Sequence, residues 1–386
     1  MSRYLSYITH AEIIITSLKK AEPLVHHLKK YFATNKKFGA TDRRVIANLC
    51  YQYYRLGQAM HTHTIQQKII GAHFLCTQLP SSFLAAVAPH FNEQVQHSIL
   101  QKCALLQITP AQLFIWQHAL SPMVNADAFA LFMLIQPQFF VRLRGNNTNL
   151  ALALATAGVP YSQINATCIA LPQATKLQQY ADINKNVVVQ DYNSQQVFNY
   201  CITNKIAITP SPTVWDCCAA SGGKSILLHD LFDGKINLTV SDVRPTILDN
   251  LRLRFSQAGI QNYTSMVADL TKPATTIPSL TYDIIVCDVP CTGSGTWSRT
   301  PEQLAFFDGN SLVNFAEQQK KIVSRVLPHL KKNGLLFYIT CSAFKQENED
   351  VVNNLATKYG LKILHLKYLL GYYIQADTMF VAVLSF

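Results

Sequence analysis

An acid and a thiol stand close together at the end of an apolar stretch. Residues 284–295 read I-I-V-C-D-V-P-C-T-G-S-G, so Asp288 and Cys291 follow a run typical of a buried strand. A loop with Gly293 and Gly295 comes next. In open α/β sheets, ligands bind outside the carboxyl ends of the strands. The stretch therefore predicts a site, although a free cysteine is also common as a small buried core residue.

The same arrangement recurs along the carboxyl-terminal part of the chain. Strand patterns alternate with helical ones from about residue 206, which predicts a parallel sheet covered on both faces. Several predicted strands end in an acid or a thiol, and the carboxyl ends of parallel strands meet at one edge of a sheet. We expect these side chains to line one crevice: Asp216, Asp242, Asp269, Asp288 and Cys341.

The turn after Asp216 allows a ligand to approach the backbone closely. It contains Gly222–Gly223, and the next helix offers its first N–H groups. Asp242 is suitably placed to accept from both hydroxyls of a ribose, and Asp269 could reach an adenine amino group. The letters G-G-K-S resemble a phosphate-binding loop, but Cys218 stands where that motif requires its first glycine. An adenosine ligand without a triphosphate suits these acids better than ATP.

Composition indicates a folded, basic protein. The chain has 386 residues, 49% of them hydrophobic, and a formal net charge of +11. These values support two or three domains with their own cores and exclude a disordered chain. The excess of base favours a polyanionic partner over none, though charge alone favours it only modestly.

Cysteine usage and hydropathy indicate a cytoplasmic location. The ten cysteines are scattered without a C-x-x-C pair, which suits a reducing compartment and gives no zinc-ligand spacing. We read no signal peptide at the amino terminus. No apolar run reaches the ~18–20 residues that a bilayer-spanning helix needs. We therefore expect a cytoplasmic protein with no metal and no membrane partner.

The chain divides into three regions whose residue patterns predict different secondary structure. Residues 1–125 read as helical, residues 126–205 as a small α+β module, and residues 206–386 as the α/β region. Basic side chains of the first two regions are candidates for RNA contact. The basic side chains of the helical region could equally form structural ion pairs. These candidates are Arg43, Arg44, Arg142 and Arg144.

The helical region also gives local predictions. Apolar spacing predicts helices across residues 11–32 with a break near Pro23. A further helix is predicted within residues 38–57, with Thr41 as its N-cap and Gly57 as its stop. Shorter helices are expected at residues 83–88, 94–106 and 111–120.

Longer blocks of the sequence resemble the RsmB/Sun family of RNA cytosine-5 methyltransferases. D-C-C-A-A-S-G-G-K-S at 216–225 matches the family's D-x-C-A-A-P-G-G-K-[ST] except at Ser221, and 288–295 match D-x-P-C-[ST]-G-x-G at every specified position. A second departure is Ile247, where the family often has arginine. Further blocks match at four places: T-C-S at 340–342, E-N-E at 347–349, Q-D-x-x-S-Q at 190–195 and R-x-P-E at 299–302.

The resemblance implies the architecture, the cofactor and the partner. It implies a Rossmann-like class I methyltransferase domain of the α/β class, preceded by the small α+β RNA-binding module and an all-helical NusB-like RNA-binding domain. It implies a monomer that acts on RNA, with 16S ribosomal RNA ahead of transfer RNA. It implies S-adenosylmethionine as cofactor, bound by the glycine turn and the strand-end acids: Cys218, Ala219, Ala220, Ser221, Gly222, Gly223, Lys224, Asp242, Asp269 and Asp288.

Two cysteines compete for the role of nucleophile. Carbon 5 of cytosine becomes nucleophilic once a thiolate adds at carbon 6, so the reaction needs a cysteine. From the residues alone Cys291 is favoured, because it stands in a Pro-Cys dipeptide like that of DNA cytosine methyltransferases. The resemblance instead assigns attack to Cys341 and product release to Cys291, with Asp288 positioning the base. Lys224 is expected to contact the cofactor loop or a catalytic acid, or simply to pair with Asp216.

Two readings from other functional classes stay open. One is a non-catalytic RNA-binding protein that keeps the fold, against which Asp288, Cys291 and Cys341 argue by being present. The other is a P-loop-type nucleotide hydrolase, which ATP turnover would reveal.

Overall fold

Apolar residues at three- and four-residue spacings fold the amino-terminal part of the chain into helices. The computed structural model describes residues 3–20, 22–145, 149–203, 210–273, 275, 277 and 279–386. The helices of this part are α1 (Arg3–Ser17), α2 (Leu24–Thr34), α3 (Ala40–Arg55), α4 (Ile65–Cys76), α5 (Ser82–Val87), α6 (Pro89–Glu93), α7 (Ile99–Leu105), α8 (Pro110–Leu113) and α9 (Ala126–Phe132).

The predicted break at Pro23 is confirmed, because α2 begins directly after that proline. The predicted N-cap of α3 is wrong: Gly39 is the N-cap, and its N–H donates to the Asp42 carboxylate at 3.2 Å. Gly57 does follow the end of α3, with a φ of +56° that favours glycine.

The helices predicted at 94–106 and 111–120 are shorter than expected. The helix α7 begins only at Ile99, because the Ser98 hydroxyl accepts from the Gln101 N–H and caps it there. The helix α8 ends at Leu113. The prediction at 83–88 agrees with α5 to within a residue.

A small antiparallel sheet follows the helices. Its elements are β1 (Phe139–Leu143), α10 (Asn149–Thr156), β2 (Ser162–Asn165), β3 (Cys168–Leu171), β4 (Val187–Val189), α11 (Tyr192–Gln195) and α12 (Asn199–Thr203). The strands lie in the order β2-β3-β1-β4, and every neighbouring pair is antiparallel. The apolar side chains of β1 and β4 pack with α10, which covers one face of this sheet.

The remaining elements build a larger, mainly parallel sheet and the helices that connect its strands. They are β5 (Thr213–Asp216), α13 (Gly223–Leu231), β6 (Asn237–Asp242), α14 (Pro245–Gln257), β7 (Tyr263–Val267), β8 (Tyr282–Asp288), α15 (Glu302–Phe306), α16 (Asn310–Val326), β9 (Leu330–Thr340), α17 (Glu349–Tyr359), β10 (Lys362–Leu369) and β11 (Met379–Ser385).

The strand order of this sheet defines where a ligand should bind. The order is β10-β11-β9-β8-β5-β6-β7, and β5 to β9 pair in parallel while β11 is antiparallel to both neighbours. Chain order runs outward from β5 to β6 and β7, then resumes on the other side with β8 and β9. The reversal between β5 and β8 is a topological switch point, the usual ligand site of such sheets. The predicted Rossmann-like α/β class is confirmed.

Tertiary contacts divide the chain into two compact units. Residues 1–136 and 296–309 form the helical unit, so α15 belongs with the amino-terminal helices. Residues 137–295 and 310–386 form the second unit, which contains both sheets. The predicted boundary at 205/206 lies outside the described residues, and the three-region division stays a prediction. None of the helices in the described ranges is long and apolar enough to cross a membrane.

Candidate active site

A cavity of about 550 Å³ lies at the carboxyl ends of the central parallel strands. Its walls come from the ends of β5, β6, β8 and β9 and from the segment after β7. The sequence-predicted residues that line it are Cys218, Ala220, Asp242, Asp269, Asp288, Cys291 and Cys341. The other predicted cofactor residues belong to the glycine turn and the start of α13: Ala219, Ser221, Gly222, Gly223 and Lys224.

The glycine turn has a conformation that only certain residues allow. Gly222 has a φ of +82°, and a Cβ there would lie 2.5 Å from the Phe255 ring. The N–H of Ala220 donates to Asp242 Oδ2 at 3.1 Å, which ties the turn to the end of β6. The Arg254 guanidinium donates to the Ser221 carbonyl at 3.0 Å and to its hydroxyl at 2.7 Å. Arg254 thus holds the turn where the resembling block has proline, a contact that sequence reasoning missed.

Two acids at the cavity wall are held by donors close to them in the chain. Asp242 Oδ1 accepts from the Arg244 N–H at 3.0 Å and from its Nε at 3.1 Å. Asp269 Oδ1 accepts from the N–H and the hydroxyl of Thr271. The Thr271 hydrogen bond, more than any other contact, lowers the pKa of Asp269. Arg244 was missed from the sequence, although its position two residues after a strand-end acid was a usable signal.

Lys224 forms an ion pair with Asp288. Its Nζ lies 2.6 Å from Asp288 Oδ2, and the two side chains are 13% and 28% exposed. Burial disfavours the charged ammonium, but the charge and hydrogen bond of Asp288 outweigh it and raise the pKa of Lys224. Of the roles considered for Lys224, contact with a catalytic acid is the one that the geometry supports.

Asp216 has no cationic partner of that kind. Its Oδ2 accepts from the Ser225 hydroxyl at 2.6 Å, while its Oδ1 is buried without a hydrogen-bond partner among the described residues. Burial raises the pKa of Asp216 to about 7. Asp216 is not among the residues that line the cavity, because its carboxylate lies buried against Ser225 of α13. The expectation that it joins the other strand-end side chains there is wrong.

The two cysteines meet at the ends of neighbouring strands. Cys291 Sγ lies 3.4 Å from Cys341 Sγ. Pairing of β8 with β9 brings them together, and the Gly295 N–H donates to the Cys341 carbonyl at 2.9 Å. The hydrogen bond with Cys341, followed by burial, raises the pKa of the Cys291 thiol well above its ordinary value. The Cys291 thiol therefore keeps its proton at neutral pH.

Comparison with known proteins shows which family the segment around this site matches. Residues 205–368 match the family model described as 16S rRNA methyltransferase RsmB/F. The chain contains an RsmB/F methyltransferase domain. The expected RsmB family is thereby confirmed for this segment, and a domain of this family uses the expected cofactor, S-adenosylmethionine.

Curated relatives match a comparable length of this chain. The probable ribosomal RNA small subunit methyltransferase B of Bacillus subtilis is 29% identical over 172 residues, which are 44% of this chain and 37% of that protein. The ribosomal RNA small subunit methyltransferase F of Serratia proteamaculans is 25% identical over 147 residues, 38% of this chain and 30% of that protein. The matched segments thus span about a third of the length of these relatives.

Solved structures share the fold. The crystal structure of PH0851 superposes with a TM-score of 0.72 at 17% identity and covers 100% of this chain and 99% of that chain. A methyltransferase homologue from Pyrococcus horikoshii gives a TM-score of 0.58 at 18% identity, over 76% of this chain and 96% of that chain. At these identities, the likeness concerns the fold alone.

The Q-D-x-x-S-Q block is a structural part of the unit that contains the RsmB/F domain. Asp191 Oδ2 accepts from the Asp377 N–H at 3.0 Å, and the Asn193 amide donates to the Asp377 carbonyl at 2.7 Å. The adjoining Thr378 N–H donates to the Gly295 carbonyl at 3.0 Å. A Cβ on Gly295 would lie 1.9 Å from the Thr378 carbonyl oxygen, so this close approach requires glycine. The block therefore supports the loop that carries Cys291.

The expectation that Arg142 and Arg144 contact RNA is contradicted by their burial. Both pair with Asp230 of α13 at 2.7 Å, and their side chains are only 5% and 12% exposed. Alternation along β1 correctly predicted a shared face, but that face turns inward against the RsmB/F domain. Their role is to join the small sheet to α13.

Arg43 and Arg44 of the helical unit differ from each other. Arg43 is half-buried, and its Nε donates to the Phe38 carbonyl at 2.8 Å. Arg44 is exposed. Arg44 thus remains a candidate for RNA contact, while Arg43 has a structural partner.

Proposed function

We propose that this protein transfers a methyl group from S-adenosylmethionine to carbon 5 of a cytosine in RNA. The single observation that carries the proposal is the pair of cysteine sulfurs, 3.4 Å apart, in the cavity that the strand-end acids line. One thiol is needed to add to the base, and a second thiol at this distance suits the later release step. The description of the matching family and the names of the relatives favour 16S ribosomal RNA over transfer RNA as substrate.

The cavity residues fit the cofactor. Asp242 lines the cavity, and its two oxygens suit a ribose diol that replaces the exposed Arg244 guanidinium as donor. Asp269 lies on the same wall, and its carboxylate suits the adenine amino group. When bound, the cofactor supplies an electrophilic methyl group on a sulfonium.

Cys341 is proposed as the nucleophile. Cys291 retains its proton, so its S–H is available to donate to the Cys341 sulfur, 3.4 Å away, when Cys341 attacks as a thiolate. The Cys341 sulfur adds to carbon 6 of the cytosine, and carbon 5 then forms its bond to the methyl group as the sulfonium–methyl bond breaks. A base removes the proton from carbon 5, and the bond between carbon 6 and sulfur breaks to release the product.

Asp288 is proposed to position the target base. Lys224 holds its Oδ2, which leaves Oδ1 to accept from the exocyclic amine of cytosine or from its protonated ring nitrogen. Proton donation at the ring nitrogen disperses the negative charge that thiolate addition would otherwise build up. The target nucleotide must leave its stack to reach this cavity.

The test is methyl transfer followed by identification of the modified nucleoside. The protein is incubated with methyl-labelled S-adenosylmethionine and with unmodified 16S ribosomal or transfer RNA, and the RNA is digested and analysed by mass spectrometry. We expect label in 5-methylcytidine, with ribosomal RNA the better substrate, and none with Cys341→Ser. Label on another atom of the RNA, or equal transfer by Cys341→Ser, would overturn the proposal.

A further inference from the structure

We propose that Glu347 is a positioning residue that fixes the two reactive sulfurs next to each other. The proposal rests on the proposed function for its catalytic meaning, because it concerns the geometry of Cys291 and Cys341. Glu347 follows β9 in the chain, is fully buried and does not line the cavity. It therefore acts on the reaction only through its neighbours.

The carboxylate of Glu347 bonds to the residue after each cysteine. On the Cys291 side, Thr292 donates its N–H to Oε1 at 2.8 Å and its hydroxyl to Oε2 at 2.6 Å. On the Cys341 side, the Ser342 hydroxyl donates to Oε2. One rigid group thus connects the loop after β8 to the loop after β9. A two-point attachment of this kind restricts both loops at once.

Neighbouring side chains hold Glu347 itself. Gln319 of α16 donates to Glu347 Oε1 at 3.2 Å and to the Pro290 carbonyl at 2.9 Å. The Tyr338 hydroxyl donates to the backbone carbonyl of Glu347. A buried carboxylate is costly unless donors surround it, and here four donors do so. An apolar residue could fill this space without that cost, so the donors indicate a role beyond packing.

The charge of Glu347 also acts on the Cys291 thiol. After the Cys341 hydrogen bond, burial and the Cys341 charge, the negative charge of Glu347 helps to raise the pKa of Cys291. The same carboxylate therefore favours a protonated Cys291.

The experiment compares Glu347→Gln with Glu317→Gln in the full-length protein. Glutamine keeps the volume but turns one acceptor into a donor that faces Thr292 or Ser342. Glu317 is an exposed glutamate of α16 paired with Lys320, so its variant controls for the loss of one negative charge. Each protein is treated with dibromobimane, which links two thiols only when they lie close together. Peptide mass spectrometry separates the Cys291–Cys341 product from the Cys217–Cys287 pair, whose sulfurs are also 3.4 Å apart.

We expect cross-linking of Cys291 to Cys341 to fall at least about fivefold in Glu347→Gln, with kcat for RNA at least about tenfold lower and KM within about threefold. Glu317→Gln should match the wild type. Unchanged cross-linking and kcat in a folded Glu347→Gln protein would overturn the proposal. If that variant does not fold, Thr292→Val removes one donor alone, and wild-type cross-linking and kcat in it would likewise overturn the proposal.

The cross-linking arm needs neither RNA nor cofactor. If the wild type proves inactive on RNA while Glu347→Gln still separates the thiols, the proposed function fails and the positioning role stands.

Discussion

The acidic residues at the strand ends differ chiefly in the donors that bind their carboxylates. Asp288 is paired with Lys224, and Asp242 and Asp269 are held by nearby donors. Asp216 alone among these strand-end acids is nine-tenths buried with one oxygen lacking a partner in the described chain. Among these acids, Asp216 should therefore make the contribution to the free energy of unfolding that depends most strongly on pH.

The Asp216 carboxyl predicts a pH-dependent stability. Burial raises its pKa in the folded state from 3.8 to about 7. The folded state therefore binds more protons than the unfolded chain between these values, and its contribution to stability is full below about pH 4 and lost as the pH rises through about 7. Replacing Asp216 with asparagine removes this loss. Between pH 5 and pH 8, the free energy of unfolding of Asp216→Asn should rise relative to wild type by about 1–3 kcal/mol.

Urea unfolding at several pH values measures this difference. Asp249→Asn is the matched control, because Asp249 is 67% exposed and its substitution should leave the difference between variant and wild type flat with pH. A flat difference for Asp216→Asn as well would show that the folded protein does not raise the pKa of this carboxyl.

Residue types predicted the members of the site, but not their partners. The sequence is sufficient to identify an acid or a thiol at the end of an apolar run, as at Asp242, Asp288 and Cys341. The pairing of Lys224 with Asp288 depends on how β5 and β8 align, and local sequence does not encode that register. Arg254 was missed for a similar reason, since α14 must pack against the glycine turn before the two can meet.

At the scale of elements, the ends of β8 and β9 carry the two cysteines of the proposed chemistry, and neighbouring elements hold these ends in place. The sequence predicts strands at residues 263–267 and 379–385, and β7 and β11 occupy these residues, because each is an apolar or β-branched run with clear turns around it. The strand β10 is not predicted, because its first residues are exposed and its apolar and polar side chains do not alternate over its whole length. Such a strand lacks the alternation that sequence reasoning uses.

Substitution of Arg142 should lower the stability of the fold and leave RNA affinity nearly unchanged. Arg142→Met removes one of the two arginines that pair with the half-buried Asp230 of α13, and it removes the donor to Gln190. Because Arg144 still pairs with Asp230, we expect a loss of about 1–3 kcal/mol in the free energy of unfolding. RNA affinity measured below the melting range should stay within about twofold of wild type.

Arg44→Ala is the contrasting variant, since Arg44 is exposed. It should change the free energy of unfolding by less than about 0.5 kcal/mol. A large loss of RNA affinity in Arg142→Met without a loss of stability would restore Arg142 as an RNA contact.

The whole molecule is basic, with 33 Lys and Arg against 22 Asp and Glu. If this charge serves RNA binding, association must release counterions from phosphates. The logarithm of RNA affinity should then fall linearly with the logarithm of salt concentration, with a slope of about −0.7 for each phosphate neutralised on a single strand. Filter binding at 50–300 mM salt measures the slope, and we expect about −2 or steeper.

Cofactor binding serves as the control for salt. S-adenosylmethionine is not a polyanion, so its affinity should change little over the same range. An RNA slope near zero would mean that the positive charge does not serve RNA binding.

The central claim is that Cys341 attacks the base and Cys291 serves release. Each cysteine is replaced by alanine, and each variant is mixed with RNA and S-adenosylmethionine and run on a denaturing gel. Cys291→Ala should accumulate a slow-migrating covalent complex of protein and RNA, because attack proceeds while release does not. Cys341→Ala should form none. A covalent complex in Cys341→Ala and none in Cys291→Ala would contradict the assignment.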